Sequence, residues 1–331
     1  LTRDTSLGML PRDRNLEDAM KPELLLVCSL YDGTEEQLDE HYTVHRLWQA
    51  KDPAAMLRDV RDRVRAISTM GAVGCKADLM DALPKTEIIA CFGVGVDAID
   101  LKAAKERKIA VTNTPDVLTE CVADLGMTLL LAAARQIPQA DRYVHDGKWL
   151  KANYHLCQHV GGRMLGIVGL GRIGEAVAKR ATAFGIKVVY HSRHEKAGAP
   201  YPYYEDIKKM AADVDYLMLT LPGGTETKHL VNADVLKALG PEGTLINIAR
   251  GSIVDEKALV QALKSGALGA AALDVFEAEP NVPEELLGMD NVVLQPHQGS
   301  ATHDTRAAMG QLVIDNLVAH FAGKPLLTRV V

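Results

Sequence analysis

Three glycines, Gly169, Gly171 and Gly174, form a GxGxxG, and three polar residues follow further along the chain in the order Arg250, Glu279, His297. The glycine set is the pattern of a turn that cradles a dinucleotide. The first glycine allows the tight turn, the second lets the backbone approach a pyrophosphate, and the third lets helix and strand pack closely. Binding of NAD usually calls for a carboxylate at the end of the next strand. Counting 18 residues beyond Gly174 reaches Ser192, followed by Arg193, instead. A hydroxyl and a guanidinium can hold a 2′-phosphate that a carboxylate would repel, so the expected cofactor is NADP(H), preferred over NAD(H). Reduction of a ketone by such a cofactor needs a proton for the carbonyl oxygen and a fixed substrate position. His297 can supply the proton, Glu279 can orient the ring and stabilise its charged form, and Arg250 can clamp a substrate carboxylate. Taken singly, each also reads blandly, as a capped helix, a surface ion pair or a satisfied core histidine.

These residues need a scaffold, and the surrounding pattern supplies one. Residues 164–168 are a short apolar run of the kind found in a parallel strand buried on both faces. Downstream, Ile173, Ala176, Val177, Ala181 and Phe184 recur at helical spacing, Gly185 stands where a left-handed cap would end the helix, and 187–190 gives the next strand. The chain is thus of the α/β class. Strands are expected at 24–29, 44–48, 65–69, 88–92 and 109–112, separated by amphipathic stretches such as 54–63 and 101–108, and these make a first parallel sheet covered by helices. Further strands are expected at 215–221, 245–249, 271–275 and 292–295. Arg250, Asp274, Glu279 and His297 lie at or just past the carboxyl ends of such strands, where open α/β sheets bind ligands. The run FGVGVD at 92–97 is either a plain turn or a loop whose backbone N–H groups receive a carboxylate. An apolar helix over 118–135 can cross between domains, and 141–159, without clear periodicity, is expected to be an excursion packed on something else.

Composition narrows the class further. A net charge of −6 without a long basic run argues against nucleic acid as a partner. The five cysteines are odd in number and form no CxxC, which suggests a reducing compartment, no disulfide framework and no bound metal. The longest apolar stretch, 125–134, is too short to span a bilayer, and the first twenty residues hold no apolar secretory core. A cytoplasmic protein with a loosely ordered extension over 1–22 is expected.

The motifs FGVGVDAID, TNTPDVLTECVADLG, GIVGLGRIG, LINIARGSIVDEKAL, LDVFEAEP, NVVLQPHQGSAT and GKPLLTRVV stand in one order between Phe92 and Val331, within a resemblance that covers nearly everything from Glu23 to Val331. In them the chain resembles the D-isomer-specific 2-hydroxyacid dehydrogenases, and within these the NADPH-dependent glyoxylate/hydroxypyruvate reductases and hydroxyphenylpyruvate reductases. The resemblance implies two parallel-sheet domains, with a Rossmann cofactor domain over 117–299 inserted into a flavodoxin-like substrate domain over 23–116 and 300–331. It implies that Arg250, Glu279 and His297 are catalytic and that Val94 and Gly95 hold the substrate carboxylate, with Met70 and Gly71 shaping substrate size. The cofactor would lie along Gly169, Leu170, Gly171, Arg172, Ile173 and Gly174, with Ser192 and Arg193 at its 2′-phosphate and Asp274 at its nicotinamide. Leu221, Pro222, Thr227, Ile248, Ala249, Gly299 and Thr119 would complete that site. A homodimer is implied, which gives 141–159 a place. The implied activity is reduction of glyoxylate or hydroxypyruvate to a D-2-hydroxyacid; larger acids such as 2-ketogluconate or hydroxyphenylpyruvate, and a dinucleotide-sensing binding protein of the same fold, stay open. Gln298 departs from the aliphatic residue that many relatives carry there.

Overall fold

Strands that lie inside a parallel sheet are covered by helices on both faces, so their residues are apolar at nearly every position. In the computed structural model, which describes residues 21–331, such strands build two sheets. The first comprises β1 (Glu23–Leu26), β2 (Thr43–Arg46), β3 (Val64–Met70), β4 (Ile88–Phe92) and β5 (Ala110–Thr112), ordered β2-β1-β3-β4-β5. The second comprises β6 (Met164–Val168), β7 (Lys187–His191), β8 (Tyr203–Tyr204), β9 (Tyr216–Leu219), β10 (Thr244–Asn247), β11 (Ala270–Leu273) and β12 (Val292–Leu294), ordered β12-β11-β10-β9-β6-β7-β8. Neighbouring strands run parallel in both sheets. Every residue of β4, β9 and β10 is buried.

Between the strands of the first sheet the chain runs through α1 (Asp32–His41), α2 (Pro53–Val60), α3 (Ala77–Ala82) and α4 (Leu101–Glu106). Then come α5 (Thr119–Arg135), α6 (Ile137–His145), α7 (Arg172–Ala183), α8 (Ile207–Asp213), α9 (Ala233–Leu239), α10 (Glu256–Ser265), α11 (Glu284–Leu287) and α12 (His303–Phe321). Side chains of Asp52, Asp100, Asp206, Asn232 and Asp255 accept first-turn N–H groups of the helices they precede. Each such cap stabilises its helix by about 1 kcal/mol. Two helices tie the sheets together. The α5 helix packs on α7 and lays Val122, Ala123, Met127 and Leu130 into an apolar cluster that reaches from Leu24 and Phe92 to Ile167 and Ile246. After the second sheet, α12 returns to pack on β4 and α1. No helix among the described residues is long and apolar enough to cross a membrane.

The strands expected at 88–92 and 164–168 have those bounds, while most others differ by one to three residues. Residues 27–29 leave the sheet after Leu26, and the expected strand at 215–221 stops at Leu219, so that 220–224 forms a loop at the carboxyl end of that interior strand. The two-residue edge strand β8 has too few residues to show a period. The stretch expected to be aperiodic from 141 begins as a helix, α6, set off from α5 by Gln136 in the left-handed region (φ 49°) and started by Pro138. A polar residue at positive φ is unusual, and nothing in its type announces it. Residues 1–20 of the expected 1–22 extension lie outside the described residues.

Candidate active site

The glycine turn joins β6 to α7. Gly169 has φ 99°, and a Cβ there would meet Leu221 at 2.8 Å. A Cβ on Gly174 would collide with the Gly169 carbonyl and stand 3.0 Å from Thr220 Oγ1. A Cβ on Gly171 would meet nothing within 4 Å. The outer two glycines are therefore demanded by the fold, and the middle one borders open space at a helix start where unpaired N–H groups favour a phosphate. That cradle fits a dinucleotide. Leu170 is buried and Ile173 packs into the core, while Arg172 reaches out to Asp116 at 2.6 Å. Both partners of that pair are largely exposed, so it contributes little to stability.

The strand β7 ends at His191, so Ser192 and Arg193 follow it directly. The Ser192 hydroxyl donates to the His194 carbonyl at 2.5 Å, and Arg193 lies 3.6 Å from Glu226. Lys196 was missed from the sequence. Its ammonium donates to the Leu170 carbonyl in the glycine turn at 3.3 Å and to Glu175 at 2.6 Å, which brings a second cation beside the turn. Opposite, Thr227 donates its hydroxyl to the Pro222 carbonyl at 3.0 Å. Thr119 opens α5, its N–H bonded to the Asp116 carbonyl at 3.0 Å, and Ile248 and Ala249 are buried at the end of β10.

The catalytic candidates meet where loops from the two sheets approach. The His297 Nδ1–H donates to Glu279 Oε2 at 2.7 Å, and Glu279 Oε1 accepts the Phe276 N–H at 3.0 Å. Burial pushes the Glu279 carboxyl up, but its bond to His297, the His297 charge, the Phe276 N–H and the nearby Arg250 charge outweigh that and hold it below the ordinary glutamate value. His297 itself has φ 55°. That left-handed conformation is held by one residue, Asp274, whose backbone carbonyl accepts the His297 N–H at 2.9 Å. The Asp274 carboxylate takes the next two amides, Gln298 N–H at 2.5 Å and Gly299 N–H at 2.9 Å. Burial raises the Asp274 pKa against the opposing pull of these donors and of His297. The Gln298 side chain is exposed and turns back to the Pro296 carbonyl at 3.3 Å.

Arg250 extends from the end of β10 toward the first sheet. Its Nη1 donates to the Ala249 carbonyl at 2.7 Å and its Nε to Asp97 Oδ1 at 3.2 Å, a pair between loops of the two sheets. The guanidinium lies so close over Gly95 that a Cβ there would overlap Nη2. The loop under it is fixed by Gly93 N–H to Thr114 Oγ1 at 3.0 Å and by Asn113 Nδ2 to the Val94 carbonyl at 2.9 Å. The N–H groups of Val94 and Gly95 find no acceptor among the described residues. Gly71 is beneath the same group, where a Cβ would stand 3.6 Å from Arg250 Nη2. A cation and two unpaired amides thus converge beside an oriented histidine, which is an arrangement able to hold a carboxylate while a proton passes to a neighbouring oxygen. Asp97 belongs to this site although only its place in FGVGVD hinted at it.

Fold and site together define an α/β oxidoreductase of the dinucleotide-binding class. The profile of the D-isomer specific 2-hydroxyacid dehydrogenase NAD binding domain matches residues 127–299, and the chain belongs to the D-isomer-specific 2-hydroxyacid dehydrogenase family. It is 47% identical to a glyoxylate/hydroxypyruvate reductase A of Arabidopsis thaliana, over 93% of this chain and 98% of that protein. It is 47% identical, with the same coverage, to a hydroxyphenylpyruvate reductase of Plectranthus scutellarioides. Among solved structures, the NADPH-dependent glyoxylate/hydroxypyruvate reductase of Sinorhizobium meliloti in complex with NADP and malonate superposes with a TM-score of 0.87 at 44% identity, over 94% of this chain and 97% of that one. The protein is accordingly a 2-hydroxyacid dehydrogenase that uses a nicotinamide dinucleotide to reduce 2-oxoacids to 2-hydroxyacids.

Proposed function

We propose that the chain is an NADPH-preferring reductase of small 2-oxoacids, glyoxylate and hydroxypyruvate, to D-2-hydroxyacids, with His297 as general acid. The observation that carries this reading is the pairing of His297 with Glu279 at 2.7 Å beside an Arg250 that lies on Gly95. Arg250 and the Val94 and Gly95 amides hold the substrate carboxylate, and Met70 and Gly71 bound the rest of the acid. When bound, the reduced nicotinamide supplies a hydride to the carbonyl carbon. Glu279 occupies His297 Nδ1, so Nε2 is the nitrogen left to give its proton to the carbonyl oxygen. The ring is then neutral and still donates to Glu279, which keeps it oriented for reprotonation. Asp274 serves this step by holding the amides of 297–299, and a nicotinamide amide would add a donor to an oxygen that already accepts one.

Preference for NADPH is supported by Ser192 and Arg193 directly past the end of β7, where a hydroxyl and a guanidinium stand in the place of the usual carboxylate, and by Lys196 beside the glycine turn. The Arg193 pair with Glu226 is exposed and loose at 3.6 Å, so a phosphate can displace it. Reduction of larger 2-oxoacids is a second reading, favoured by the equal identity to a hydroxyphenylpyruvate reductase. The deciding experiment is a comparison of kcat/KM for glyoxylate, hydroxypyruvate, 2-ketogluconate and hydroxyphenylpyruvate, each with NADPH and NADH. Highest efficiency with one of the first two and NADPH is the expected result; a clear preference for NADH or for an aromatic acid would overturn the corresponding part.

The same proposal includes the division into a cofactor domain over 117–299 and a substrate domain over 23–116 and 300–331, supported by the two sheets and the return of α12. It also includes a homodimer. The arm from α6 onward exposes Trp149, and Leu150 and Leu156 are 94% and 98% exposed, apolar surface that a second copy would cover. A monomer in sedimentation at micromolar concentration would rule the dimer out.

A further inference from the structure

Arg306 stands in the first turn of α12, and its guanidinium carbon lies 5.5 Å from the centre of the Phe92 ring. Phe92 ends β4 directly before the carboxylate loop at 93–95, and Met70 at the end of β3 lies beside it in register. The next residue, Gly71, is under Arg250 and against the Gly95 carbonyl. A line of neighbours therefore runs from the carboxylate clamp through Gly71, Met70 and Phe92 to Arg306.

The Phe92 ring covers one face of the guanidinium, a favourable cation–π contact. It leaves the five N–H groups along the edge unanswered. Among the described residues no carboxylate and no hydrogen-bond acceptor meets them, and burial pulls the guanidinium pKa below the ordinary arginine value. The side chain is half-buried, so these donors have partly left bulk water without gaining a protein partner. The helix that carries them is fixed: Thr302 caps it by accepting the Thr305 N–H at 3.4 Å, and Met309 and Val313 are buried in the core.

We propose that Arg306 is a specificity-determining residue which, resting on the 2-oxoacid reading above, donates hydrogen bonds to a polar group on C3 of the substrate while the carboxylate is held at Arg250. Hydroxypyruvate carries such a group as a hydroxyl. Pyruvate has a methyl there, and glyoxylate ends at C2 and does not reach Arg306. The acid class selected is thus the 3-hydroxylated 2-oxoacids.

The test is kcat/KM for hydroxypyruvate, pyruvate and glyoxylate at saturating NADPH, in the unaltered enzyme, Arg306→Gln and Arg306→Lys, with thermal midpoints measured for all three. The unaltered enzyme should favour hydroxypyruvate over pyruvate by about tenfold or more, the effect of one hydrogen bond to a charged group. Arg306→Gln should lose most of that preference while glyoxylate stays within about threefold of normal, and Arg306→Lys, which keeps the charge and a donor, should recover part of it. An equal loss on all three acids, or an intact preference for hydroxypyruvate in Arg306→Gln, would overturn the assignment. No turnover of any of the three by the unaltered enzyme would overturn the reductase reading and this assignment with it.

Discussion

Glu279 Oε2 accepts the Nδ1–H of His297 at 2.7 Å while its other oxygen takes the Phe276 N–H, so the carboxylate ties the imidazole ring to the backbone of its own loop. Glu279→Gln keeps the shape but removes the charge that stabilises protonated His297. The expected result is a kcat lower by about tenfold or more and a pH–rate profile whose alkaline limb moves to lower pH. A profile with an unchanged alkaline limb would dissociate Glu279 from the proton transfer.

The same glutamate makes a prediction for stability. Its folded-state pKa lies below the ordinary value of 4.5, so ionised Glu279 favours the folded state. That contribution is complete above pH 4.5 and is lost as pH falls through the lowered folded value. The urea midpoint of the unaltered protein should therefore drop more steeply between pH 5 and pH 3 than that of Glu279→Gln, with the two curves running parallel above pH 5. Equal slopes on the acid side would contradict the assigned shift.

Asp97 orients Arg250 from across the cleft at 3.2 Å, and Gly223 lies beside both, where a Cβ would stand 2.8 Å from Arg250 Cγ and 3.2 Å from Asp97 Oδ2. Asp97→Ala should raise the KM for the 2-oxoacid by about tenfold, as expected for one charge-assisted hydrogen bond, with the KM for NADPH unaffected. A parallel rise in both constants would point to general loosening.

At the dinucleotide end, Arg193→Ala should raise the KM for NADPH by about tenfold or more and leave that for NADH nearly constant. The glycines separate folding from binding in the same region. Gly171→Ala adds a methyl into open space and should leave the thermal midpoint within experimental error while weakening dinucleotide affinity. Gly251→Ala drives a methyl into the Phe276 carbonyl, a backbone group that cannot step aside, and should cost about 1–3 kcal/mol in urea unfolding. An affinity loss for Gly171→Ala that is matched by a lower midpoint would remove the distinction.

Much of this was legible in the sequence because it depends on local pattern. Residues 88–92 and 164–168 are apolar throughout, which a doubly covered strand requires, and their bounds agree with β4 and β6. The count from Gly174 to Ser192 lands one residue past the end of β7. What was not legible depends on pairing across distance or on an unusual backbone angle. Asp97 and Arg250 are 153 residues apart, and no period or motif announces that they touch. Arg306 looks like any surface arginine of a helix until Phe92 is placed under it. The α6 helix was obscured because Gln136 and Pro138 break the pattern at the point where α5 ends. Lys196 lies five residues beyond the end of β7 at His191, on a loop whose return to the glycine turn only the fold decides.

The central claim is that His297 delivers the proton to the carbonyl oxygen of a bound 2-oxoacid. The most direct measurement is kcat for glyoxylate or hydroxypyruvate in His297→Ala at saturating NADPH, with NADPH affinity measured separately by fluorescence. The account predicts a fall of about 100- to 10,000-fold in kcat with NADPH affinity preserved. Turnover close to that of the unaltered enzyme would contradict it.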